Sequence, residues 1–73
     1  MGSEIHIGKL IKTAMKEQGR KASWLAEQLH CDRTNIYKIF RKQSIDTELL
    51  TTVSKTLKVD FFAHYSKALS KIL

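Results

Sequence analysis

Apolar residues recur along this chain at the spacing of amphipathic helices. Ile7, Leu10, Ile11, Ala14 and Met15 form one stripe, with Lys9, Lys12 and Lys16 on the opposite side. The pattern predicts a helix over residues 4–18, stopped by Gly19, which tolerates the positive φ of a helix exit. After the polar connection QGRKAS, Leu25, Ala26 and Leu29 mark a shorter helix over residues 22–29, with Ser23 a candidate N-cap. The chain turns at HCD, where Asp32 is placed to cap the next helix through its carboxylate, near the positive end of the dipole. In that third helix, residues 33–41, Ile36, Ile39 and Phe40 group on one side. Thr34, Lys38 and Arg41 lie opposite, with Tyr37 between the two sides and Arg33 and Asn35 projecting from the first turn. Asp46 is the expected cap of a fourth helix, residues 47–57, with Leu49, Leu50, Val53 and Leu57 inward. Asp60 is the expected cap of a fifth, residues 61–72, whose stripe is Phe61, Phe62, Tyr65, Ala68, Leu69 and Ile72. No sustained alternation and no Asn-Gly turn marks a strand. The pattern predicts an all-α, compact five-helix chain.

Composition narrows the picture. A chain of 73 residues is one domain, taken as residues 4–73, with Met1-Gly2-Ser3 read as a tag remnant. At this size stability rests on efficient helix packing. Cys31 is the only cysteine, so no disulfide closes within the chain, and the single thiol without a secretory signal points to a reducing, cytoplasmic setting. No apolar run is long enough for a bilayer, so no membrane partner is expected.

The net charge is +6 and the sequence pI about 9.7. The excess is concentrated: residues 19–42 hold Arg20, Lys21, Arg33, Lys38, Arg41 and Lys42 against Glu27 and Asp32. Such a local excess is the footprint expected for a polyanion partner, and equally of a solvated lysine-rich face.

Catalytic and metal chemistry find no support. His6, His30 and His64 lack metal-ligand spacing, and one cysteine beside His30 cannot complete a tetrahedral site. There is no nucleophile–base arrangement and no phosphate-cradling glycine loop. No enzyme activity, cofactor or small-molecule ligand is therefore expected. Cys31 reads as a small core residue. Glu27 and Glu48 read as exposed helix carboxylates, and Trp24 as a partly buried ring.

Two short helices joined by a brief turn, the first with a small central residue (Ala26), make a helix-turn-helix. In that motif the first helix props across the sugar-phosphate backbone and the second enters the major groove. The stretch from Lys21 to Arg41, with Leu25-Ala26, Leu29, Cys31, Ile36 and Ile39, resembles the lambda-repressor-like (Cro/repressor, or XRE) family. The flanking KEQGRK and IDTELLTTVSKTLKVD extend the likeness to roughly residues 7–62. Two positions depart from it: His30 stands where the family commonly has glycine, and Ala22 where it often has a phosphate-binding glutamine.

The resemblance implies a sequence-specific double-stranded DNA-binding transcriptional regulator, most simply a repressor, of bacterial or phage-like type and nucleoid-associated when bound. It implies base contacts from Arg33, Thr34 and Tyr37, with Asn35 reading a base or holding the sugar-phosphate. It assigns phosphate contacts to Lys38, Arg41, Lys42, Gln43 and Ser44, with Lys21 or Ser23 replacing the missing glutamine. One groove helix reads few base pairs, so a homodimer spanning half-sites about 34 Å apart is expected. Phe62, Tyr65, Leu69 and Ile72 are its candidate contacts, whereas Phe61 is assigned to the monomer core. The competing reading is a protein-interaction module, such as an antitoxin, working through the apolar C-terminal helix.

Overall fold

Each apolar stripe forms a helix. The computed structural model describes residues 5–73. Its helices are α1 (Ile7–Glu17), α2 (Ala22–Leu29), α3 (Arg33–Phe40), α4 (Thr47–Leu57) and α5 (Phe62–Ile72). Residues 1–3, read above as a tag remnant, and Glu4, the expected first residue of helix, lie outside the described residues. Among those described there is no strand, and no helix is long and apolar enough to cross a membrane.

The first helix begins later than its polarity pattern predicts, because His6 caps it. The His6 backbone is extended, and its Nδ1 accepts the Lys9 N–H at 3.2 Å. The first-turn N–H groups of Ile7 and Gly8, which have no acceptor within α1, donate to the carbonyls of Gln43 and Lys42, both at 3.0 Å. The start of α1 is thereby fastened to the chain leaving α3. Gly8 makes this possible: a Cβ there would overlap the backbone carbonyl oxygens of Ile39 and Phe40.

Three helix exits use the left-handed region. Gly19 (φ 69°) ends α1, with its N–H donating to Lys16 and that of Arg20 to the Met15 carbonyl at 2.8 Å. His30 (φ 57°, ψ 47°) ends α2 in the same way, with the Cys31 N–H donating to the Ala26 carbonyl at 2.9 Å. Histidine thus occupies the conformation for which glycine is the usual residue. Lys58 (φ 59°) ends α4, where the Gln18 side chain also donates to the Leu57 carbonyl at 2.9 Å.

The caps follow expectation only in part. Asp46 accepts the Leu49 N–H at 2.7 Å and starts α4 as predicted. Asp32 occupies the N-cap position of α3, but its carboxylate makes no capping bond. The first-turn bond is instead that of the Asn35 N–H to the Asp32 backbone carbonyl, at 3.0 Å. Ser23 lies inside α2 and caps nothing; Lys21 holds the N-cap position without a side-chain bond. Asp60 does not cap α5, because Phe61 turns into the core ahead of the helix and takes the N-cap position itself. Arg41 is the C-cap of α3 rather than its last residue.

The core joins Ile7, Ile11 and Met15 of α1 to Leu25 and Ala26 of α2, Ile36 and Ile39 of α3, and Leu50, Val53 and Leu57 of α4. Phe61, 1% exposed, closes it. Leu10, Trp24, Leu29, Cys31, Leu49 and Tyr65 pack partly buried around this set. No residue of α5 itself is buried. The molecule measures 39 × 22 × 20 Å.

Candidate functional site

Helix α3 is short, and its two isoleucines decide how it sits. Ile36 and Ile39 are buried, so at about 100° per residue the opposite line runs through Thr34 and Arg41. Arg33 and Tyr37 fall on one flank of that ridge, Asn35 and Lys38 on the other. Arg33, Thr34, Asn35, Tyr37, Lys38, Arg41, Lys42, Gln43 and Ser44 are all exposed. Tyr37 stands 51% exposed, its ring edge-on to Phe40 at 6.0 Å. Phe40 thus braces the ring at the surface rather than burying it.

A cleft runs along each flank of the ridge. The first, of about 430 Å³, lies between α1, the start of α2 and α3. Five cations line it: Lys12 and Lys16 from α1, Arg20 and Lys21 from the connection, and Arg33 from α3. Ser23 and Tyr37 add hydroxyls, Met15, Ala22 and Phe40 give it apolar patches, and no carboxylate is present in its lining. The Arg20 guanidinium lies 4.1 Å from the centre of the Trp24 ring, a cation–π contact that restrains it at the rim. Neither α2 nor α3 is capped by a side chain, and both begin at this cleft. The positive end of the α2 dipole therefore adds to the field of the cations, whereas the Asp32 carboxylate at the N-cap position of α3 offsets the positive end of that helix.

The second cleft, of about 320 Å³, lies on the other flank. Asn35, Lys38 and Lys42 line it above Leu29, Cys31 and Leu49. Cys31 is half-buried there and packs against the core, as a small apolar residue would. Among the described residues no group of three or more His, Cys, Asp or Glu could hold a metal.

The structure brings together most of the residues singled out in the sequence. Lys21, Ser23, Arg33 and Tyr37 meet at the first cleft; Asn35, Lys38 and Lys42 meet at the second. Ser44 does not join them. It lines a separate apolar cleft of about 280 Å³ with Ile45, Leu50, Phe62 and Tyr65. Gln43 is exposed, and its carbonyl is engaged by the Ile7 N–H. Lys12 and Lys16 were missed: the polarity pattern assigns them to a solvated face of α1. They are exposed, but they share that surface with the starts of α2 and α3. Their one sequence signal was the i, i+4 spacing, which puts both on the same side.

Beyond Phe61, α5 leaves the core. Tyr65 is half-buried, Leu69 is 54% exposed and Ile72 80% exposed. Comparison with family models, with curated proteins and with solved structures finds no match.

Proposed function

We propose that this chain is a sequence-specific double-stranded DNA-binding regulator of helix-turn-helix type, with α2 and α3 as the motif and α3 as the helix that enters the major groove. The observation that carries this reading is the shape and charge around α3. Its outward ridge is exposed along its length, and a cation-lined cleft without carboxylates flanks it on each side. The major groove is about 12 Å wide and admits one helix between two rows of phosphates. A ridge between two basic troughs has that complementarity. Thr34, at the apex, and Arg33 and Tyr37, beside it, reach base edges; Asn35 reads a base or holds the sugar-phosphate. Lys21, Ser23, Lys38, Arg41 and Lys42 hold phosphates, which sets orientation without sequence information. Regulation by occlusion, as a repressor, needs nothing beyond this binding.

Two-fold pairing belongs to the same reading. The stripe Phe62, Tyr65, Leu69 and Ile72 continues beyond what the monomer core uses, and such a face on a second copy would bury it. The exposed end of α5 is also what a protein-interaction module such as an antitoxin would present; the basic clefts have a role in that alternative only where the module binds DNA as well.

Titration of labelled duplexes in increasing salt tests the proposal. Binding should weaken steeply with salt, because phosphate neutralisation releases counterions. Lys38→Ala and Arg41→Ala should weaken all sequences alike and flatten the salt slope. Arg33→Ala and Tyr37→Ala should instead reduce preference for one sequence by about 1–3 kcal/mol. A wild-type protein indifferent to every duplex at low ionic strength would end the proposal.

A further inference from the structure

We propose that the cleft between α1, α2 and α3 seats one phosphodiester strand of a duplex, and that Lys12 and Lys16 of α1 are anchors of that strand. The proposal rests on the DNA-binding reading above and adds residues of a third helix to the contact.

Lys12 and Lys16 are one helical turn apart on α1, about 6 Å along its axis, and both border the cleft. Arg20, Lys21 and Arg33 border it from other elements. Five like charges around one concavity repel one another, a cost that a bound polyanion reverses into attraction. The apolar patches contributed by Met15, Ala22 and Phe40 exclude water and strengthen the field inside. The start of α2, which no side chain caps, adds a backbone dipole of the same sign. The stacked Arg20 is already restrained, so less side-chain freedom is lost when it meets a phosphate oxygen.

The opposite flank sets the geometry. Lys38 and Lys42 border the second cleft, across the ridge of Thr34 and Arg41. A helix in a groove has a phosphate row on each side, and each cleft has the charge to take one. The first cleft is the larger and carries more cations, so α1 shares the load with the motif itself. The footprint on that strand then extends past α2 onto the lysine face of α1.

The test uses the full chain and salt-dependent duplex binding by fluorescence anisotropy. The Lys12→Ala, Lys16→Ala double variant should lower affinity on the order of tenfold per lysine near 0.1 M salt, and reduce the log–log salt slope by about two. The loss should be equal for all duplex sequences, and Lys12→Arg with Lys16→Arg should restore binding. Both lysines are exposed, so the far-ultraviolet spectrum and unfolding curve should be unchanged. Lys55→Ala with Lys67→Ala removes the same net charge away from both clefts and serves as the control. The proposal is overturned if the two double variants bind alike, or if the loss is confined to one sequence, while wild type still binds duplexes steeply with salt. If wild type binds no duplex at all, the DNA-binding reading fails and takes this inference with it.

Discussion

Gly8→Ala should strongly destabilise this protein, although helix propensity alone predicts the opposite. In an exposed helix interior the change gains about 1 kcal/mol, because alanine loses less backbone entropy on folding. Here the added Cβ would sit 2.5 Å from the Phe40 carbonyl carbon and overlap the carbonyl oxygens of Ile39 and Phe40. These are backbone atoms, so no rotamer change relieves the overlap, and α1 must move outward by about 1 Å to regain ordinary contact. That movement breaks or stretches the Ile7 and Gly8 N–H bonds to the Gln43 and Lys42 carbonyls. Each bond contributes about 1 kcal/mol net, and the separation also disturbs the Ile7, Ile11, Ile36 and Ile39 packing at a cost of about 1–3 kcal/mol. The sum is on the order of 3–5 kcal/mol, against a total stability of about 4–11 kcal/mol for a chain of this size. Urea unfolding followed by far-ultraviolet circular dichroism and Trp24 fluorescence measures it. A midpoint lowered by about 2 M or more is expected, given the shallow urea dependence of small domains. Gly19→Ala, with no atom within 4 Å of the new Cβ but a φ of +69°, should cost only about 1 kcal/mol. A Gly8→Ala midpoint equal to or above that of wild type would refute the close approach of α1 to α3.

Four further outcomes follow from particular residues. His30→Gly should stabilise by about 0.5–1 kcal/mol, since the left-handed backbone at residue 30 strains any side chain; a lower urea midpoint would contradict this. Asp46→Ala should lose about 1 kcal/mol while Asp32→Ala loses much less, because only Asp46 makes its capping bond; equal losses would show that position alone matters. Ser54→Ala should be neutral or stabilising by up to about 1 kcal/mol, since the buried Ser54 Oγ has no hydrogen-bond partner, unlike Thr51, Thr52 and Thr56, which bond back along α4. Leu69→Ser with Ile72→Ser should leave the unfolding of dilute protein unchanged and weaken self-association; sedimentation equilibrium showing a concentration-independent monomer for wild type would remove the pairing proposal.

Much of the fold was legible because amphipathic periodicity states directly which side of each of the first four helices is dry. Ile7, Ile11, Ala14 and Met15, Leu25 and Ala26, Ile36 and Ile39, and Leu50, Val53 and Leu57 became the core, while Leu10, Leu29, Phe40 and Leu49 of the same stripes are only partly buried against it. Gly19 was readable as a stop because its φ requirement is a property of one residue. The exposed line of α3 follows in the same way once Ile36 and Ile39 are assigned inward. Capping was less legible. Asp32 and Asp46 look alike in the sequence, yet only one carboxylate reaches an N–H group. Asp60 lost its role to Phe61, because burying that ring places the chain entering α5.

The amino-acid order by itself therefore determined the five helices, the wet and dry sides of the first four and the concentration of positive charge between residues 19 and 42. Only the tertiary structure decided that Gly8 lies against the backbone of Ile39 and Phe40. It also decided that Lys12 and Lys16 share a cleft with Lys21 and Arg33, and that α5 runs outward past its last core contact. The physical reason is one of range. Periodicity is set by neighbours along one helix, whereas a cleft and a backbone approach are set by which other helix packs beside it, and no local pattern records that partner.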